Sequence, residues 1–89
     1  MNNVTTGVVI GRFQPLHNAH LKLIRLALAK YNQVIILVGS YQQARDIHNP
    51  FTFEERKEMI VSSLTIEENN RVFIKPIRDY QFNFIPDTI

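Results

Sequence analysis

Residues 8–20 read Val8-Val9-Ile10-Gly11-Arg12-Phe13-Gln14-Pro15-Leu16-His17-Asn18-Ala19-His20. An apolar run stops at a glycine, an arginine follows at once, and a short loop holding Pro15 leads to two histidines that open a helical pattern. The order predicts a strand, a tight turn and a helix N-terminus. That junction suits a phosphate: the turn lets backbone approach a ligand, the helix end offers unpaired N–H groups, and Arg12 supplies fixed positive charge.

Outward from this stretch, Val4 to Ile10 is expected as a strand, with the run Val8-Val9-Ile10 buried on both faces. Asn18 is expected to cap a helix reaching about Tyr31. Its apolar face holds Leu21, Leu23, Ile24, Ala27, Leu28 and Tyr31, with Lys22, Arg25 and Asn32 opposite. Val34-Ile35-Ile36-Leu37-Val38, closed by Gly39-Ser40, reads as a buried parallel strand. Tyr41 to Pro50 is a polar loop. Thr52 and Glu55 then stand at capping-box spacing before a second helix whose apolar side is Phe53, Met59, Ile60 and Leu64. Glu67 to Asn70 reads as a polar turn and Arg71 to Ile74 as the start of a third strand. Beyond Pro76 aromatic and polar residues mix without a clear period.

Strands alternating with helices imply an α/β fold, a parallel sheet with helices on its faces. Ligands of such sheets bind beyond the carboxyl ends of the strands. The Gly11 and Gly39 turns lie there, as does the loop after Ile74 that carries Asp79 and Asn83. Three strands leave an edge strand open and one face poorly covered. The expectation is therefore that residues 1–89 are the N-terminal part of a single larger domain, with homo-oligomer formation through the open edge as a further option.

The chain of 89 residues is 45% hydrophobic and carries a formal net charge of +2, an ordinary globular balance. It contains no cysteine, which excludes disulfides and zinc–thiolate sites and fits a cytoplasmic protein. No apolar run approaches the roughly 20 residues needed to span a bilayer, and Met1 to Thr6 has no signal-peptide pattern, so no membrane partner is expected. Up to Phe53 five basic residues (Arg12, Lys22, Arg25, Lys30, Arg45) face one acid, Asp46; from Glu54 onward five bases face seven acids. The excess of positive charge around the opening stretch suits a phosphorylated ligand. It is too dilute for a nucleic-acid footprint, and a basic nucleic-acid binder would lose affinity steeply with salt.

His17 and His20 lie one helical step apart and can share a face. Two readings stand: both point at a phosphate and donate to charge developing in a transition state, or they cap and solvate a helix end. No neighbouring Asp, Glu or third His completes a metal site. Arg56 can bind phosphate or pair with an acid on its own helix. Ser40 can touch ligand or begin a turn. Arg45 and His48 read as solvated loop residues, and Asp79 can order its own loop.

The segment Gly11-Arg12-Phe13-Gln14-Pro15-Leu16-His17-Asn18-Ala19-His20 resembles the signature of the HxGH nucleotidylyltransferase superfamily, and more narrowly the nicotinamide-mononucleotide adenylyltransferases of the archaeal and Nudix-fused type. Val38-Gly39-Ser40, then Asn49-Pro50-Phe51-Thr52 with Glu55-Arg56, is similar to that family's second loop and helix. Pro76-Ile77-Arg78-Asp79-Tyr80-Gln81-Phe82-Asn83 is similar to a segment of its Nudix-fused members. The resemblance implies a Rossmann-like fold and transfer of AMP from ATP, with Mg2+, to nicotinamide mononucleotide, giving NAD and pyrophosphate. It implies catalytic roles for His17, His20 and Arg12. ATP contacts are implied for Gly11, Arg12, Phe13, His17, His20, Ser40 and Arg56, and nicotinamide-mononucleotide contacts for Phe13, Gln14, Asp79 and Asn83. Pantetheine-phosphate and cytidylyl transferases of the superfamily are alternatives, as is a non-catalytic nucleotide-binding or assembly module. Departures from the pattern are Ala19 where the family has glycine, His48 where it often has arginine or lysine, no tryptophan near Pro86, and no later Ser/Thr–Arg motif within these residues.

Overall fold

The computed structural model describes residues 4–39 and 50–78. Among them the elements run β1 (Thr6–Gly11), α1 (Asn18–Lys30), β2 (Gln33–Val38), α2 (Phe53–Ser63), α3 (Ile66–Asn69) and β3 (Val72–Pro76). The strands form one parallel sheet in the order β1-β2-β3, a Rossmann-like α/β arrangement. Gly7 faces Val34, Val9 faces Ile36 and Gly11 faces Val38; across β2, Ile36 faces Ile74.

The register explains the core. Val9, Val34, Ile36 and Val38 share one face of the sheet and pack with Ile24 and Leu28 of α1 and Ile60 of α2, all nearly or fully buried. Both long helices thus cover the same face. On the other face the rows Val8–Ile35–Phe73 and Ile10–Leu37–Lys75 run across the strands. Val8 is 55% exposed and Phe73 44%. This corrects the expectation that Val8-Val9-Ile10 is buried on both faces. An unbroken apolar run shows that two faces are apolar, whereas the helices among the described residues cover only one.

Two close approaches shape the end of the sheet opposite the ligand side. A Cβ at Gly7 would meet the Tyr31 ring at 2.4 Å, so only glycine lets that ring lie against β1. Arg71 donates from Nη1 to the Leu28 and Tyr31 carbonyls at 3.0 and 3.2 Å, closing the C-terminus of α1.

The helix boundaries also correct two expectations. Asn18 is the first residue of α1 and His17 is its cap. The expected polar turn at Glu67 to Asn70 is instead mostly the short helix α3, capped by Thr65, whose hydroxyl accepts from the Glu68 N–H at 3.1 Å while Glu68 accepts from the Thr65 N–H at 2.9 Å. Glu68 also receives Arg25 from α1 through Nε at 2.9 Å and Nη2 at 3.2 Å. The Arg25 hydrogen bond, helped by the Thr65 N–H, holds the Glu68 carboxyl down at about 2. Part of the expected basic excess is therefore structural: Arg25 ties α1 to α3 and does not face the strand ends.

Candidate functional site

The strand ends meet as the topology requires. Gly39 N–H donates to the Gly11 carbonyl at 2.8 Å, and Ile77 N–H donates to the Val38 carbonyl at 3.0 Å, so the three loops start side by side. Ser40, Arg45, His48, Asp79 and Asn83 lie outside the described residues.

His17 and His20 form a reciprocal cap. The Nδ1 of His17 accepts from Ala19 N–H at 3.3 Å, and the Nδ1 of His20 accepts from His17 N–H at 3.2 Å. Histidine is not among the favoured cap residues, yet here each imidazole offers its Nδ1 lone pair to a backbone N–H at the helix start, His17 to the first turn and His20 to the cap itself. An accepting Nδ1 carries no proton, so the reciprocal cap requires each ring in its neutral form with the proton on Nε2. Burial and the neighbouring His17 push His20 below its usual pKa of 6.5, burial being the larger cause. The rings lie 4.0 Å apart between centroids, tilted by 38°. His20 is 5% exposed and His17 is exposed. No buried side-chain polar atom among the described residues lacks a partner. The Nε2 of His20, which has none there, is therefore open to solvent. The two readings of the histidine pair are thus compatible: Nδ1 caps the helix and Nε2–H remains a donor.

Phe13 holds the loop from below. Its ring is 1% exposed and lies 4.6 Å from that of His20, while its backbone is left-handed, with φ 51°. That conformation costs a non-glycine residue roughly 1–2 kcal/mol. Burying the ring contributes about 1.5–3 kcal/mol, so packing wins and fixes the loop. The Phe13 side chain belongs to the core, which leaves its backbone as the part able to meet a ligand.

Gln14 and Arg56 join the two signature segments. The Gln14 side chain donates to the Phe51 carbonyl at 3.1 Å and accepts from Phe51 N–H at 2.9 Å. Arg56 is 1% exposed. Its Nε donates to the Thr52 carbonyl at 3.2 Å, and its Nη1 donates to the Arg12 carbonyl at 2.9 Å and to the Gly39 carbonyl. Burial and, second, the charge of Arg12 push Arg56 below the usual arginine value. Two cations acting on each other in this way favour an anion between or beside them. Spacing offered a signal for the burial of Arg56: residues 56 and 60 fall on the core stripe of α2, continued by its C-cap Leu64, as 20, 24 and 28 do on α1.

The α2 N-terminus is built differently. Thr52 and Glu55 make the expected capping box, at 3.1 and 2.9 Å, and Glu54 and Glu55 occupy its first turn. The first turn of α1 contains no acid. Its positive end is therefore not offset by a carboxylate of its own, and Arg12 lies in the adjoining loop. Among the described residues no group of three His, Cys, Asp or Glu side chains could hold a metal ion, and no helix is long and apolar enough to cross a membrane.

The chain is similar to known proteins in sequence and fold. A nicotinamide-nucleotide adenylyltransferase of Thermococcus kodakarensis is 39% identical over 84 residues, covering 92% of this chain and 45% of that protein. A nicotinamide/nicotinic acid mononucleotide adenylyltransferase of Acinetobacter baylyi is 47% identical over 72 residues, covering 81% of this chain and 38% of that protein. The chain thus spans less than half the length of these relatives. The crystal structure of a bifunctional NMN adenylyltransferase/ADP ribose pyrophosphatase from Francisella tularensis, complexed with AMP and Mn ion, is similar with a TM-score of 0.82 and 42% identity, covering 92% of this chain and 25% of that one. The pattern of the cytidylyltransferase-like family runs through residues 8–86, nearly the whole chain, and the chain belongs to that family.

Proposed function

We propose that this chain is the N-terminal part of a single nucleotidylyltransferase domain acting as a nicotinamide-nucleotide adenylyltransferase. A 5′-phosphate oxygen of nicotinamide mononucleotide attacks the α-phosphorus of ATP. The new P–O bond forms as the bond to the bridging oxygen breaks, and pyrophosphate leaves with that electron pair. The attacking oxygen is already ionised, so no general base is needed. The observation that carries the reading is the histidine cap: two neutral imidazoles with Nδ1 committed and Nε2–H presented beside Arg12 and an acid-free helix N-terminus.

Such donors suit charge that grows on the non-bridging oxygens of the transferring phosphoryl group. They are fixed before the reaction and need no reorganisation during it. Arg12 draws the phosphates to the same end of the sheet, and the Gly11 and Phe13 backbone lies along the nucleotide. Mg2+ enters with ATP, on its phosphate oxygens, as part of the substrate. Ser40 and Arg56 are assigned to the ATP side. Gln14, Asp79 and Asn83 are assigned to the nicotinamide side, Gln14 through its hold on the Phe51 segment. The names of the relatives support adenylyl transfer to a nicotinamide mononucleotide.

The test is an adenylyl-transfer assay on the 89-residue chain with ATP, Mg2+ and nicotinamide mononucleotide, following dinucleotide and pyrophosphate together, with His17→Ala in parallel. Dinucleotide that disappears in the variant is the expected result. Nucleotide binding without product identifies a half-site that needs further residues. Product with phosphopantetheine or CTP but not with nicotinamide mononucleotide and ATP overturns the substrate assignment, and no binding of either nucleotide overturns the enzyme reading.

A further inference from the structure

Arg56 does something more specific than place a charge near phosphate. It is 1% exposed, and its guanidinium donates to three backbone carbonyls: Thr52 on its own helix, Arg12 after β1 and Gly39 after β2. A trans peptide carries its carbonyl and the following N–H on opposite sides, and the Arg12–Phe13 bond is trans, since among the described residues only Gln14–Pro15 is cis. With the Arg12 oxygen turned onto the buried guanidinium, the Phe13 N–H faces the other way. Among the described residues that N–H donates to no group. The left-handed Phe13 backbone and the Gln14–Phe51 pair, 37 residues apart in sequence, hold the same loop from either side. Two carbonyl oxygens that would repel a phosphate are drawn inward, and one N–H that would bind it is left outward.

We infer that Arg56 is a positioning residue for anion recognition, turning the Arg12 and Gly39 carbonyls inward so that the Phe13 N–H is presented to a nucleotide phosphate. The inference rests on the nucleotide-binding reading above for its ligand, but its geometry can be tested without one. A guanidinium reaches several carbonyls through a rigid planar fork, and an ammonium of equal charge does not reproduce that fork.

The experiment is amide and arginine side-chain NMR of the 89-residue chain, titrated with AMP and then inorganic pyrophosphate, on wild type, Arg56→Lys and Arg56→Gln. The expected result is a Phe13 amide resonance that moves with ligand while the Arg56 Nε–H resonance stays in place, and AMP affinity at least tenfold weaker in both variants. An Arg56 Nε–H that moves as much as the Phe13 amide shows direct contact and overturns the inference. Wild-type affinity in Arg56→Lys also overturns it, because charge alone then suffices. If wild type binds neither probe, the functional reading fails and the inference is judged on the free protein. There the Phe13 amide must exchange rapidly with water and must shift in Arg56→Lys; a protected amide overturns it. If a variant does not fold, the wild-type titration and the exchange rate of the Phe13 amide decide.

Discussion

The two long helices begin at the same end of the sheet, and each opens with a reciprocal side-chain cap, yet the caps leave different things behind. At α2 the partners are Thr52 and Glu55, with Glu54 beside them, so the helix end is satisfied and its positive dipole is met by carboxylates. At α1 the partners are His17 and His20. The backbone N–H groups are met, no negative charge is added, and two Nε2–H donors remain. The core stripes repeat the contrast. His20 and Arg56 occupy equivalent places one turn above Ile24 and Ile60, but His20 keeps an open edge while Arg56 is spent on backbone carbonyls. On the proposed function one helix start is scaffold and the other is site, and the difference lies in which side chains do the capping.

The largest expected effect falls on the scaffold side. Arg56→Ala strands the carbonyls of Arg12 and Gly39, while the Thr52 oxygen keeps the backbone N–H of residue 56, and each unpaired buried acceptor costs roughly 1–3 kcal/mol. A stability loss of about 3 kcal/mol or more is expected in urea unfolding. A loss under about 1 kcal/mol would show that those oxygens find water and that Arg56 is no keystone.

Removing the two caps separates the helices by function. His17→Ala and Thr52→Ala should each lower stability by about 1 kcal/mol, the usual worth of an N-cap. Only His17→Ala should also cut adenylyl transfer, by about 100-fold or more, as loss of a transition-state donor does. Equal effects of the two substitutions on transfer would erase the distinction.

Lowering the pH sharpens the comparison in another way. His20 has a folded pKa below 6.5, so between the two values the unfolded chain binds more protons than the folded one. Its stabilising cap is fully present above 6.5 and is lost as pH falls through the lower folded value. Unfolding midpoints should fall in that window, and His20→Gln should remove the fall. Glu68, held at about 2 from a usual 4.5, contributes above 4.5 and is lost toward 2, in a separate window that His20→Gln leaves intact.

The smallest effect has opposite signs for fold and function. Ala19 is exposed in the first turn of α1, and Ala19→Glu gives that helix the acid that α2 already has. Stability should rise by about 0.5 kcal/mol while AMP affinity falls. A rise in both would show that the α1 N-terminus does not receive phosphate.

The order of strands and helices and the Thr52–Glu55 box are readable from spacing alone, because each is a local pattern, whereas the spacing of His17 and His20 leaves two readings open. Asn18 looked like the cap since asparagine is among the best capping residues; nothing in the spacing shows that His17, a poor one by preference, takes the place. Thr65 and Glu68 carry the same signature as Thr52 and Glu55, but the four residues of α3 are too few for any periodicity to confirm a helix. The inward turn of Arg56 was foreshadowed by Ile60 and Leu64 on its stripe. The Gln14–Phe51 pair had no such signal, since it joins loops that only the folded sheet brings together. That one face is poorly covered follows from three strands alone, but that it is the face of Val8, Ile35 and Phe73 does not: apolar runs report composition, and coverage depends on which side the crossovers take.

The most direct test of the account is the protonation pattern of the two imidazoles, read from long-range proton–nitrogen NMR of the histidine rings at pH 7.5. Both His17 and His20 should be neutral, with bare Nδ1 and protonated Nε2. A proton on Nδ1 of either ring would break the reciprocal cap, leave that Nε2 without a hydrogen to donate, and contradict the joint role of the pair in holding α1 and meeting a phosphate.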